Sequence, residues 1–195
     1  MSTSRRTFPT PTLLRRHGVV YASLVLTLCS AACSDRHASE AKADTAAMMY
    51  VRARYTEHFR GDQGFSVEIL RARRQWFTPC LYSLLLADID GSFTRGDPGF
   101  LDWDPFTTAQ DDANGFQITG ATRSHDTVLV HVAVLFGYPP PGQAQPITVA
   151  VTRVDTSWRI ADLVTPDIDL ARGVDSALRE DASRERLPYT SCLVD

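Results

Sequence analysis

Apolar residues recur every three or four positions in the first half of this chain and at every second position in the second half. Met48, Val51, Tyr55 and Phe59 follow the helical step, so a helix is expected to run to about Arg60. Gly61-Asp62-Gln63-Gly64 breaks it. A second helix is expected over Ser66–Trp76, with Ile69, Ala72 and Trp76 inward. Arg71, Arg73 and Arg74 then form its solvated face rather than an anion site. Thr78-Pro79 marks a third start, a capping hydroxyl followed by proline at a position that needs no N–H. Leu81, Leu84, Leu85 and Ile89 continue at helical spacing, and Gly91 is the expected stop. Residues 91–113 keep no period and carry glycine, proline, aspartate and aromatics, which reads as an ordered loop.

Alternation then takes over. Phe116–Thr122, Asp126–Phe136, Pro146–Val154 and Trp158–Leu163 read as four strands, and Asp155-Thr156 between the last two is a tight hairpin signal. Short connections favour an antiparallel meander. Asp175–Arg186 is expected to form a last short helix. The expected fold class is therefore α+β: N-terminal helices packed on a strongly curved, four-stranded antiparallel sheet that wraps into a cone. This order, with the closing Trp158-Arg159-Ile160-Ala161-Asp162, resembles the nuclear transport factor two-like, cystatin-like superfold.

The first 33 residues lie outside this pattern. Arg5, Arg6, Arg15 and Arg16 precede an apolar run, Gly18–Leu28, and then Ser30-Ala31-Ala32-Cys33, with no acidic residue before Asp35. A basic head, a short apolar segment and small residues before a break make an export signal. The run is about half the roughly 20 residues that span a bilayer. Cys33 gives the signal the form of a bacterial lipoprotein signal, with the cysteine as lipidation site and Ser34 after it pointing to the outer membrane. Secretion with cleavage nearby is the alternative. Ser4-Arg5-Arg6-Thr7-Phe8 also resembles a twin-arginine motif, but Pro9 and Pro11 follow it, and Arg15-Arg16 suffice as an ordinary basic head. Residues 34–46 are small and polar and read as a tether, residues 47–186 as one domain, and residues 187–195 as a tail.

Export changes the charge and cysteine bookkeeping. All 23 acidic residues follow Cys33, against 16 of the 20 basic ones, which puts the exported part near −7. Such a domain is a poor nucleic-acid binder, since that role relies on cationic side chains neutralising phosphates. Cys80 and Cys192 remain as an even pair in an oxidising compartment and are expected to form a disulfide.

Candidate chemistry concentrates in the central loop, where Asp97, Asp102, Asp104, Gln110, Asp111 and Asp112 interleave with Phe100, Trp103 and Phe106. Calcium would need six to eight oxygens, but Asp88-Ile89-Asp90-Gly91 places its glycine too early for an EF-hand loop. The preferred reading has the aspartates capping turns while the aromatics pin the loop to the core. No metal or cofactor is expected. His131 lies mid-strand with Leu129, Ala133 and Leu135 on its face. It is the one weak catalytic candidate, able to pair with an aspartate if that face is concave. His125 falls in a turn and His58 on a helix flank. G-x-S-x-G, H-E-x-x-H and phosphate-loop motifs are absent.

Phe77-Thr78-Pro79, Leu81, Leu84-Leu85, Asp104-Pro105-Phe106, Ala109-Gln110-Asp111 and Trp158-Arg159-Ile160 resemble the domain of unknown function 3828 family of small bacterial envelope lipoproteins. The resemblance covers about residues 47–180. It implies the cystatin-like superfold and an envelope location, and it marks Asp104, Phe106, Gln110 and Asp111 as a candidate binding loop without supplying a catalytic residue. The tail with Cys192 and the Pro139–Gly142 turn depart from it. The functional expectation is a lipid-anchored envelope protein whose domain binds an unidentified protein or small molecule without catalysis. A periplasmic immunity or inhibitor protein, and a small hydrolase or isomerase using an Asp–His pair, are the alternatives.

Overall fold

The computed structural model describes residues 40–61, 64–95, 99–109, 113–137, 143–185 and 188–193. Cys33, Asp97, Gln110, Asp111, Asp112 and the Pro139–Gly142 turn lie outside the described residues. The described residues from 42 onward form one compact unit.

Helix α1 covers residues 40–60, so residues 40–46, expected as tether, are already helical. Its inward stripe is Ala47, Val51, Tyr55 and His58, all fully buried, at steps of four, four and three. Helix α2, Val67–Ala72, is capped by the Ser66 hydroxyl, which accepts from Ile69 N at 3.3 Å. It stops earlier than expected. Arg73 leaves helical geometry (φ −94°, ψ 10°), and a 3₁₀ turn, Arg74–Trp76, follows. Helix α3, Pro79–Arg95, begins at the expected cap, where Thr78 Oγ1 accepts from Leu81 N at 3.3 Å. It passes through Gly91 instead of ending there; an internal glycine weakens a helix by only about 1 kcal/mol.

Four strands follow in sequence order: β1 Gly115–Ser124, β2 Thr127–Phe136, β3 Gln143–Val154 and β4 Ser157–Val164. They pair antiparallel as a meander, β1-β2-β3-β4. The expected α+β plan of helices leading into a four-stranded antiparallel sheet is therefore the observed one. Two-residue turns at His125-Asp126 and Asp155-Thr156 close the first and third hairpins, with positive φ at His125 (54°) and Asp155 (56°). Pro146 sits inside β3 but before Thr148, where pairing with β4 begins, so its missing N–H costs no ladder bond to β4.

Alternation decides what the sheet buries. Val128, Val130, Val132 and Val134 of β2, with Ile147, Val149 and Val151 of β3, form the core with Leu81, Leu84 and Leu85 of α3. The edge of β4 is met by the segment before α3, where Phe77 bridges Ile160 and Thr78 N donates to Ile160 O at 2.8 Å.

Helix α4, Leu170–Glu185, starts five residues before the expected Asp175. Gly173 does not break it; a Cβ there would lie 2.4 Å from Phe100 Cζ, so the glycine admits the loop against the helix. Two carboxylates set the early start. Asp169 Oδ1 accepts from Arg172 N at 3.1 Å, and Asp162 Oδ1 accepts from Ala171 N at 2.9 Å and Leu163 N at 2.8 Å. Burial, and then the hydrogen bond to Asp169, push the Asp162 carboxyl up to about 7, although the two amides pull it back. A carboxyl raised by folding binds its proton more tightly in the native than in the unfolded state. Stability is therefore expected to fall as pH rises from about 4 through about 7. Asp162→Asn keeps the acceptor and supplies a permanent donor to Asp169. It is expected to raise stability at pH 8 by about 2–4 kcal/mol, roughly 5–10 °C in Tm, with little effect at pH 4. Thermal melts of both proteins across that range check this; a constant difference between them would contradict it.

The Cys80–Cys192 disulfide is formed and ties the tail to the first turn of α3. Tyr189 adds a second tie, donating to Asp175 Oδ1 at 2.8 Å. Burial and that carboxylate push the Tyr189 hydroxyl up to about 12. Burial would raise Asp175, but hydrogen bonds from Ser191, Tyr189 and Arg179 outweigh it and hold the carboxyl below its usual range.

Candidate functional site

Helix α3 positions the start of the central loop. Asp88 continues the inward face of Leu81 and Leu85 and is buried, and its carboxylate accepts from Phe100 N at 2.9 Å and Leu101 N at 3.0 Å. Gly99 lets the chain pass directly over that carboxylate, within 3 Å of where a Cβ would sit. Asp88 is thus a loop anchor within a helix, not the first residue of a cation-binding loop.

Asp104 fixes the next turn. Its Oδ1 accepts from Phe106 N at 3.0 Å, the Asx geometry expected for this loop, and its carbonyl accepts from Thr108 N at 2.7 Å. Phe106 is driven into the core, fully buried, edge-on to Tyr55 and Trp76. Both described members of the expected binding loop, Asp104 and Phe106, therefore face inward. Gln110 and Asp111 cannot be placed with them, since they lie outside the described residues.

The other oxygen of Asp104 meets a histidine, and it is His58 rather than His131. His58 Nε2 lies 2.6 Å from Asp104 Oδ2, and Arg73 Nη1 lies 2.9 Å from His58 Nδ1. Guanidinium nitrogens only donate, so Nδ1 accepts from Arg73 and the Nε2–H donates to the carboxylate. The order of donors along Arg73, His58 and Asp104 is fixed in one direction. The imidazole is fully buried and stacked on Phe106 at 4.8 Å. The Arg73 guanidinium also lies 4.7 Å over Trp76. Both ring nitrogens are occupied and the ring has no exposed surface, so this Asp–His pair is built to hold α1, the α2 end and the central loop together.

His131 is placed differently. The buried face of β2 is the all-valine set, and the period of two puts His131 out of step with it. Its Nε2 lies 3.2 Å from Thr122 Oγ1 and its Nδ1 3.3 Å from Thr148 Oγ1, on the opposite face from the core. The expected pairing of His131 with a loop aspartate is not observed. Among the described residues, no group of three or more His, Cys, Asp and Glu side chains is arranged to hold a metal ion. No described helix is long and apolar enough to cross a membrane.

A separate, open feature lies between the 3₁₀ turn, the first turns of α3 and the β3–β4 hairpin. It is a cleft of about 610 Å³ lined by Arg74, Gln75, Phe77, Pro79, Tyr82, Ser83, Val154 and Arg159, with Ala72 at its rim. The Arg74 guanidinium lies 5.4 Å over the Tyr82 ring. Arg159 donates to Trp158 O at 3.3 Å and acts on the Tyr50 hydroxyl, which itself donates to Trp76 O at 2.8 Å. Sequence reading missed both features. The His58 signal was present, since His58 follows Tyr55 by three and extends the Ala47-Val51-Tyr55 stripe. The cleft needs the break at Arg73, which turns consecutive arginines in different directions.

No protein-family model matches this chain, and no curated protein matches it. Among solved structures it is similar to a protein of unknown function from Bacteroides thetaiotaomicron VPI-5482, at 17% identity and a TM-score of 0.48, over 68% of this chain and 98% of that one.

Proposed function

We propose that this chain is an exported envelope protein, lipid-anchored through Cys33 on the periplasmic face of the outer membrane, whose α+β domain binds a ligand or partner without catalysing a reaction. The signal-type N-terminus supports this address, as does the Cys80–Cys192 disulfide, a bond that persists in oxidising compartments. The observation that carries the non-catalytic reading is the enclosure of His58 and Asp104. The Asp–His pair of the described structure is spent on tertiary contacts, and a general base must reach the proton it abstracts.

Cells fed a clickable palmitate analogue should yield labelled protein in the outer-membrane fraction, and Cys33→Ser should abolish both label and membrane retention. Unlabelled, freely soluble wild-type protein would overturn the anchor.

A further inference from the structure

We propose that the cleft between the 3₁₀ turn and the β3–β4 hairpin binds a small organic oxyanion: a carboxylate or phosphate group on an aromatic or otherwise apolar body. The inference deepens the binding-domain reading and rests on it.

Charge is the first observation. The exported part is near −7, so its average field repels anions, yet two of its arginines line one cleft. Neither Arg74 nor Arg159 is ion-paired to a carboxylate among the described residues. Arg54, Arg123, Arg172, Arg179 and Arg184 have acidic partners, while Arg52, Arg60, Arg71 and Arg153, outside this cleft, lack an ion pair among the described residues as Arg74 and Arg159 do. Within a cleft, two uncompensated cations focus the local potential against the net charge.

Preorganisation is the second. A guanidinium lying over an aromatic ring uses its face for that contact and keeps its N–H edge free to donate. Arg74 over Tyr82 is in this state. Arg159 is steadied by the Trp158 carbonyl, with donors to spare from its five. Planar forks of this kind match the paired oxygens of carboxylates and phosphates.

Shape is the third. Phe77, Pro79, Val154 and the Tyr82 ring give the cleft apolar walls, while Gln75 and Ser83 add neutral polar groups. An inorganic ion would leave those walls unused. A volume of about 610 Å³ falls in the range of sites that enclose a small organic molecule.

The full chain, titrated with phenyl phosphate, benzoate and neutral benzamide and followed by NMR shifts, tests this. Either anion should shift resonances of Tyr82, Ser83 and Arg159, and benzamide should bind much more weakly. Arg74→Ala should weaken anion binding about tenfold, the loss expected for one charge-assisted contact, whereas Arg172→Ala on α4 should leave it unchanged. Tighter phenyl phosphate would assign the site to phosphate esters and tighter benzoate to carboxylates. The proposal falls if neither anion binds, if benzamide binds equally well, or if Arg74→Ala has no more effect than Arg172→Ala. Lipid labelling at Cys33 is read separately, so failure of the cleft and failure of the anchored-protein reading are distinguishable.

Discussion

Reduction of the Cys80–Cys192 bond, or the paired replacement Cys80→Ser with Cys192→Ser, is expected to lower stability by about 4 kcal/mol, roughly 8–16 °C in Tm. The cysteines are 112 residues apart, so the bond closes α3, the whole sheet and α4 into one loop. Loop-entropy reasoning gives about 4–5 kcal/mol for a loop of that length, and measured bridges scatter below it. About 4 kcal/mol is a large share of the stability of an ordinary domain. Release should also be local. Tyr189, Ser191 and Asp175 form one hydrogen-bonded group beside the bridge, and Leu193 packs on the core. Without the bridge the tail holds by these contacts alone. The Tyr189 hydroxyl, pushed up to about 12 in the folded protein, is then expected to titrate nearer the ordinary tyrosine value. Thermal melts with and without reductant, with tyrosinate absorbance followed against pH, check both effects. An unchanged melting point would show that the tail is held without the disulfide.

The backbone plan was more legible in sequence than the site, for a physical reason. Helix starts and hairpin turns are set by neighbours: Thr78-Pro79 caps α3 and Asp155-Thr156 turns β3 into β4. The alternating valines of β2 likewise announce a half-buried strand. Local signals failed where a tertiary contact outweighed them. Gly91 reads as a stop, yet α3 continues to Arg95. The last helix is expected only from Asp175, yet α4 starts at Leu170 and its Gly173 admits Phe100 against it. The run Arg71, Arg73, Arg74 reads as one solvated face, yet the break at Arg73 sends it to His58 and leaves Arg74 over Tyr82.

For the candidate site, the nature of the chemistry was readable but not its members. Asp104 capping a turn and Phe106 pinning the loop follow from residue type and spacing. The histidine that joins them is 46 positions away, and no local pattern selects His58 over His131. The acidic composition also concealed the cleft, since it rests on two arginines 85 positions apart in sequence, Arg74 and Arg159.

The second large effect concerns the enclosed pair. Asp104→Asn is nearly isosteric, yet it is expected to cost about 3 kcal/mol. The carboxylate accepts from both Phe106 N and the His58 Nε2–H. An amide oxygen can still accept from Phe106, but its NH2 then points at another donor. Turning the imidazole to its other tautomer moves the hydrogen to Nδ1, where it meets the Arg73 guanidinium. Either arrangement leaves two donors facing each other in a buried site, and an unsatisfied buried donor costs about 1–3 kcal/mol. The conflict disappears if Arg73 is removed. Arg73→Met should destabilise the wild type, which loses a charge-assisted bond and the contact with Trp76, but cost little or restore stability in the Asp104→Asn background.

Denaturant unfolding of wild type, Asp104→Asn, Arg73→Met and the double variant is therefore the most direct test of the central claim, that the Asp–His pair is a tie in the fold and not a catalytic couple. The prediction is a loss of about 3 kcal/mol for Asp104→Asn, with a favourable coupling of at least about 1 kcal/mol between the two sites. Near-wild-type stability for Asp104→Asn, with additive effects of the two substitutions, would contradict it. The carboxylate would then be dispensable for folding and free for chemistry.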